Sequence, residues 1–86
     1  MEMLPHQKQG IVMYTTYGCA SCKAAGRFME QHGIAFEAIN LSRQPELSSA
    51  LVAATGLRMV PQIFFNGQFI GGYNELVSGI QSGVIG

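Results

Sequence analysis

Both cysteines of this 86-residue chain, Cys19 and Cys22, lie in the segment YTTYGCASCK and are separated by two residues. A C-x-x-C pair is typical of thiol-disulfide redox sites and of metal sites. Two cysteines can also serve as small buried apolar residues, since free cysteine is often buried. In a reducing compartment a permanent structural disulfide is not expected. The residues around the pair must therefore be used to distinguish redox chemistry, a metal site and simple packing.

The position of the pair in the sequence favours redox chemistry. An apolar, partly β-branched run ends at Thr15, and Gly18 precedes a pattern that predicts a helix from near Cys19. A cysteine at a helix N-terminus meets unpaired N–H groups and the positive end of the helix dipole, and thiols in such positions have pKa values below ~8.5. Cys19 is therefore the candidate nucleophile. Cys22 follows about one helical turn later and is the candidate resolving thiol.

A zinc site and simple packing fit the sequence less well. Structural zinc normally takes four ligands. The two histidines of the sequence are His6, in the N-terminal arm, and His32, about three turns along the same predicted helix. Placement between a strand and a helix, beside Gly18, also favours redox chemistry over two buried apolar cysteines.

Hydrophobic patterns predict the elements that position this pair. The predicted strands span 10–15, 35–40, 62–65 and 68–70, and the predicted helices span 19–32, 42–55 and 73–80. The first two strands are joined through a helix and should be parallel. The Asn66-Gly67 pair predicts a tight antiparallel hairpin, with Phe64, Phe65 and Phe69 in the core. The sequence thus predicts one α/β domain over residues 1–86, in the order β-α-β-α-β-β-α.

The composition excludes several classes of protein. Hydrophobic residues make up 48% of the chain and charged residues 12%, which is typical of a compact globular domain. Five Lys and Arg balance five acidic residues, so no excess charge is available for a nucleic acid backbone. No segment reaches the ~20 apolar residues of a membrane helix. The opening MEMLPHQKQG lacks the pattern of a secretory signal, and we interpret residues 1–9 as a loose arm. We expect a soluble, cytoplasmic monomer without nucleic acid or membrane partners.

A second motif, Met59-Val60-Pro61, stands directly before a predicted strand, where proline restricts Val60 to extended geometry. Together, GCASCK and TGLRMVPQIFFNGQFIGGYNEL resemble the glutaredoxins. The shared features are C-x-x-C at the first strand-helix junction, a T-V-P-Q-I-F-like segment, and a G-G-[CY]-D-D-like turn before the last helix. The resemblance extends from about Ile11 to Ile80. It implies the thioredoxin fold, with a mixed four-stranded sheet, three helices, and Pro61 in the cis form beside the cysteines.

The resemblance also implies ligands. Glutathione is the implied co-substrate, and glutathionylated or disulfide-containing proteins are the implied targets. Val60, before Pro61, would pair through its backbone with the cysteine of glutathione, as an added strand does. A helix N-terminus would bind the γ-glutamyl carboxylate and amino group. The residues implied there are Gly72, Tyr73, Asn74 and Glu75.

Several residues depart from the glutaredoxin pattern. Thr16 stands where the family usually has a Lys or Arg that pairs with the glycine carboxylate of glutathione, and Lys23 or Arg58 are the candidate substitutes. The usual C-P-Y-C is C-A-S-C, so Tyr17 is the candidate to replace the lost tyrosine of the glutathione groove. Met59 stands in place of a threonine. These departures predict a weakened glutathione site.

Three functions follow from these features. The leading one is a glutathione-dependent thiol-disulfide oxidoreductase that uses Cys19 as nucleophile. The second is a carrier or sensor of a [2Fe–2S] cluster at a dimer interface, with Cys19 as the ligand from each copy and glutathione completing the set; Ala20 in place of proline favours it. The third is a thioredoxin-like electron donor served by a reductase, which the uncharged Thr16 favours.

Overall fold

The structure is a computed structural model and describes residues 4–85. Its strands are β1 (Ile11–Thr15), β2 (Phe36–Asn40), β3 (Gln62–Phe65) and β4 (Gln68–Gly71), and its helices are α1 (Ala20–Gln31), α2 (Pro45–Thr55) and α3 (Tyr73–Gln81). The strands form one sheet in the order β2-β1-β3-β4, in which only β1 and β2 are parallel. The predicted order β-α-β-α-β-β-α and the mixed four-stranded sheet are confirmed. No helix within the described residues is long and apolar enough to cross a membrane.

Apolar side chains on the two faces of the sheet form two cores. The core beneath α1 and α3 contains Ile11, Met13, Ala25, Met29, Ile63, Leu76 and Ile85. The core beneath α2 contains Val12, Tyr14, Ile39, Leu41, Leu51 and Phe64. Alternate residues of a strand point to opposite faces, so β1 contributes to both cores. This double burial fixes β1 in the centre of the sheet and so fixes the loop after it, which leads to Cys19.

The segment before α2 differs from the prediction. The sequence predicted a helix from residue 42, but a short 3-10 turn, Leu41–Arg43, comes first and α2 begins at Pro45. The Asn40 side chain starts the turn by accepting a hydrogen bond from the Ser42 N–H at 2.8 Å. Gln44 then has a φ of −137°, because a residue before proline is disfavoured from helical geometry. The turn therefore presents its side chains beside the end of β2 instead of along a helix.

The hairpin between β3 and β4 forms as predicted. Asn66 and Gly67 have φ values of 52° and 84°, as a type I′ turn requires at both central residues. Phe64 is buried and Phe65 half-buried, but Phe69 is 45% exposed. The prediction of a core position for Phe69 is wrong, because β4 is the edge strand of the sheet and this ring covers only one side of Phe64.

The N-terminal arm is anchored through His6, which is only 6% exposed. Its ring stacks on Phe64, with centroids 3.8 Å apart. Its backbone N–H donates to the Tyr14 hydroxyl at 3.0 Å, and that hydroxyl lies 2.9 Å from Nδ1 of the ring. The arm thus differs from the loose segment expected, because one aromatic ring within a polar sequence finds a buried position. Residues 1–3 of the predicted arm lie outside the described residues.

The His6 contacts predict pH-dependent stability. Burial disfavours the charged imidazolium, so it lowers the pKa of His6 below its ordinary value. As the pH falls, His6 is therefore protonated in the unfolded chain before it is protonated in the folded chain. The free energy of unfolding should fall as the pH drops below ~6.5. Urea unfolding at pH 7.5 and pH 5.5 should show a smaller difference for His6→Gln than for the native chain. The exposed His32→Gln is the control, and an equal difference in all three would contradict the prediction.

Candidate active site

The structure joins Cys19 and Cys22 in a disulfide at the junction of β1 and α1, with their Cα atoms 5.2 Å apart. The two sulfurs differ in access. Cys22 is 5% exposed, whereas Cys19 is half-buried. A thiol partner in solution therefore reaches the Cys19 side of the bond, in keeping with the predicted order of nucleophile and resolving thiol. Within residues 4–85 there is no group of three or more His, Cys, Asp or Glu side chains that could hold a metal ion.

Local backbone geometry directs the Cys19 sulfur at the start of α1. Gly18 has a φ of +69°, a value that glycine adopts readily, and it turns the chain into an extended Cys19 at the N-cap position. The Cys19 Sγ accepts a hydrogen bond from the Cys22 N–H at 3.1 Å, so it satisfies one of the unpaired donors of the helix. The Ser21 hydroxyl lies 3.6 Å from the same sulfur and is the donor, since a disulfide sulfur has no proton. Donors thus surround the sulfur that would carry negative charge after reduction.

An open cleft of about 320 Å³ gives access to the two cysteines. It is lined by Thr15, Thr16, Tyr17, Gly18, Cys19, Cys22, Lys23 and Asn40. Of the two candidate substitutes for the missing cation, Lys23 lies in this cleft, whereas Arg58 lines a separate pocket beside Met59 and Gln62. The structure therefore brings Lys23 to the cysteines and leaves Arg58 apart from their cleft.

Val60 and Pro61 lie at the same end of the sheet as the cysteine loop. Their peptide bond is cis, as the resemblance predicted. In the antiparallel pairing of β1 with β3, Tyr14 is opposite Gln62, so Pro61 comes level with Thr15 at the end of β1. Pro61 is buried and Val60 half-buried. The central strands thus align the proline segment with the loop that leads to Cys19.

The start of α3 packs against this proline segment. A Cβ placed on Gly72 would lie 3.3 Å from Met59 Cε, at the flexible end of that side chain, and 3.7 Å from the Pro61 carbonyl oxygen, which is an ordinary contact distance. The backbone at Gly72 therefore lies directly against the proline segment. Glu75 Oε1 accepts a hydrogen bond from the Gly72 N–H at 2.8 Å. This carboxylate therefore stabilises the start of α3 itself, a role that the sequence did not suggest for it.

The other residues implied by the resemblance have different surroundings. The Tyr73 ring packs against the core beneath α1 and α3, while Asn74 is exposed. Tyr17 lines the cysteine cleft and is 62% exposed, and its hydroxyl accepts a hydrogen bond from Arg43 Nε at 2.5 Å. Sequence reasoning missed Arg43, because no local pattern connects it to Tyr17. The signal lies in the parallel pairing of β1 with β2, which brings their C-terminal ends together.

Known proteins resemble the chain in sequence and in fold. Residues 11–70 match the glutaredoxin family profile. The chain is 38% identical over 71 residues to Glutaredoxin-C6 of Oryza sativa subsp. japonica. The aligned region covers 79% of this chain and 63% of the rice protein. It is also 43% identical over 53 residues to the glutaredoxin-like protein NrdH of Escherichia coli (strain K12). This aligned region covers 62% of this chain and 64% of NrdH. The chain thus spans less than two thirds of the length of either relative.

A solved structure gives the same picture of the fold. The crystal structure of a buckwheat glutaredoxin-glutathione complex superimposes on the chain with a TM-score of 0.77 at 25% sequence identity. The match covers 91% of this chain and 74% of the buckwheat protein. The likeness in fold therefore extends over most of the chain.

Proposed function

This chain belongs to the glutaredoxin family, and from that premise we propose that it is a glutathione-dependent thiol-disulfide oxidoreductase with Cys19 as its nucleophile. One observation carries the proposal. The Cys19–Cys22 disulfide lies at a helix N-terminus and lines an open cleft, where Cys19 is half-buried and Cys22 is only 5% exposed. Such a pair can cycle between dithiol and disulfide, and its access favours external attack at only one sulfur.

The proposed reaction of a glutathionylated target proceeds in two exchanges. The Cys19 thiolate attacks the glutathionyl sulfur, a Cys19–glutathione disulfide forms, and the target leaves as a thiolate that takes up a proton. A second glutathione, as thiolate, then attacks the glutathionyl sulfur on Cys19. Glutathione disulfide forms and the Cys19 thiolate is released. One free glutathione is therefore oxidised for each target thiol set free, and the other half of the glutathione disulfide is the glutathionyl group that the target carried.

A protein disulfide requires Cys22 as well. Attack by Cys19 joins the chain to the target through a mixed disulfide and releases one target thiol. Cys22 then attacks the Cys19 sulfur, which releases the second target thiol and forms the Cys19–Cys22 disulfide. The 5.2 Å separation of their Cα atoms lies within the range for disulfides, so this step needs no large rearrangement.

The glutathione part of the proposal is supported by the segments around the cysteines. The buckwheat protein of similar fold is a glutathione complex. We propose that Val60 pairs with glutathione through its backbone, that Lys23 pairs with the glycine carboxylate, and that the first turn of α3 takes the γ-glutamyl group. The residues assigned to the ligand are therefore Tyr17, Lys23, Val60, Pro61, Gly72, Tyr73, Asn74 and Glu75.

NADPH consumption with glutathione, glutathione reductase and a glutathionylated small thiol tests the proposal. Turnover that requires both glutathione and the chain is the expected result. No turnover, together with reduction of a protein disulfide in the presence of thioredoxin reductase, would overturn the glutathione assignment in favour of a thioredoxin-like electron donor. The observation that favours this second candidate is Thr16 in the cysteine cleft, which leaves Lys23 as the one cation among residues 4–85 that lines it.

The uncharged Thr16 gives a gain-of-function prediction. Thr16→Lys adds a second cation to the cleft, and since an opposite charge attracts the glycine carboxylate of glutathione, KM for glutathione should fall about three- to tenfold. The coupled assay measures this at low ionic strength. Ser49→Lys, which adds the same charge on exposed α2, is the matched control. Equal values for both variants would show that the cleft does not bind the glycine carboxylate.

Cluster carriage is a further candidate, supported by the small Ala20 that follows the half-buried Cys19. Cys22 is buried, so this chain would contribute Cys19 alone, and a second copy and two glutathione thiolates would complete the four ligands of a [2Fe–2S] cluster. Anaerobic incubation of the reduced chain with iron, sulfide and glutathione should then give a coloured dimer. A colourless monomer would contradict cluster carriage and leave the oxidoreductase proposal intact.

A further inference from the structure

The exposed ring of Tyr17 is held in one orientation by the turn that follows β2. Arg43 Nε donates a hydrogen bond to the Tyr17 hydroxyl at 2.5 Å, and the guanidinium carbon lies 5.8 Å from the ring centroid. At the other end of the residue, the Tyr17 N–H donates to Ser42 Oγ at 3.2 Å. Both ends of Tyr17 are thus tied to one turn, although its side chain is 62% exposed.

The contact between Arg43 and Tyr17 is close to the reacting sulfur, because Tyr17 lies in the loop that leads to Cys19. Tyr17 lines the cleft that contains Cys19 and stands two residues before it. An exposed tyrosine ordinarily changes rotamer on a fast timescale. The guanidinium is a planar, preorganised donor, so little freedom is lost when it holds the hydroxyl. Arg43 therefore keeps the ring at the border of the cleft, where a substrate would contact it.

We propose that Arg43 is a positioning residue for substrate binding, which it serves by holding the Tyr17 ring as one wall of the Cys19 cleft. The inference rests on the proposed function, because the part of the substrate that would contact the Tyr17 ring is the glutathionyl group of a mixed disulfide. Arg43 acts through Tyr17, so the two residues form one unit. Loss of either the guanidinium or the hydroxyl releases the ring, and loss of both should weaken substrate binding no more than loss of one.

The test compares reduced native protein with Arg43→Ala, Tyr17→Phe and the double variant. KM for a glutathionylated peptide should rise about three- to tenfold in each single variant with kcat unchanged, and the double variant should match the singles. Alkylation of Cys19 by iodoacetamide, which is too small to need the wall, should proceed at the native rate. Arg27→Ala removes the same charge from an exposed position on α1 and is the matched control.

Three results would overturn the proposal. The first is a KM for Arg43→Ala no higher than that for Arg27→Ala. The second is multiplication of the two single effects in the double variant, since residues that act as a unit are not independent. The third is a parallel fall in the iodoacetamide rate, which would mean that Arg43 acts on the sulfur by its charge.

The same variants separate this proposal from the proposed function. If the native chain shows no turnover with glutathione, the proposed function fails. The rate of reaction with 5,5′-dithiobis(2-nitrobenzoate), a bulky disulfide that needs no glutathione site, then replaces KM as the readout. A rate lowered about threefold in both single variants, with the iodoacetamide rate unchanged, would support the wall. Rates equal to those of the native chain would overturn it.

Discussion

Replacement of Cys19 by serine is expected to lower kcat/KM for every disulfide substrate by at least about a thousandfold. The thiolate is the nucleophile in disulfide exchange, and a serine hydroxyl remains protonated at neutral pH. The variant keeps the N-cap position, because a serine oxygen can accept the same hydrogen bond from the Cys22 N–H. The coupled NADPH assay measures the loss, and circular dichroism confirms that the fold persists. Activity above a few per cent of the native value would assign the nucleophile elsewhere.

Replacement of Cys22 by serine should separate the two classes of substrate. The hydrogen bond to the Cys19 sulfur comes from the backbone N–H of residue 22, so it survives the change of side chain. Reduction of a glutathionylated small thiol needs only Cys19 and should stay within about threefold of the native rate. Reduction of a protein disulfide needs the resolving thiol and should fall at least about a hundredfold.

An insulin-reduction assay run beside the glutathionylated substrate measures this separation. Cys22→Ala is the control for placing a hydroxyl in a position that is only 5% exposed. If both variants lose both activities, Cys22 takes part in every turnover, and the two-exchange route through glutathione alone is wrong. If both variants keep both activities, the target or glutathione resolves the mixed disulfide without Cys22.

The parts of the structure that the sequence predicted depend on local signals or on the family resemblance. The largely apolar β1, the Asn66-Gly67 turn and the helix after Gly18 are each encoded within a few neighbouring residues. The thioredoxin fold and the cis bond before Pro61 followed from the resemblance and are confirmed. These features place Cys19 at a helix N-terminus, so the centre of the candidate site was predictable.

The parts that the sequence did not predict depend on contacts between distant segments. Arg43 reaches Tyr17 across 26 positions, and only the parallel register of β1 and β2 makes them neighbours. His6 is buried because Phe64 offers a flat surface, which a polar N-terminal sequence does not reveal. The Glu75 carboxylate accepts a hydrogen bond from the Gly72 N–H. Whether a carboxylate makes such a contact or faces a ligand depends on its side-chain rotamer, which the sequence does not specify.

Cys19 should carry glutathione during turnover, and mass spectrometry of the Cys22→Ser variant can detect that adduct. The reduced variant is mixed with glutathione disulfide, without free glutathione, and digested under acid conditions that stop exchange. We expect one glutathione per chain, on the peptide that contains Cys19, and its release by added glutathione. An unmodified chain, or an adduct that free glutathione does not remove, would contradict this expectation.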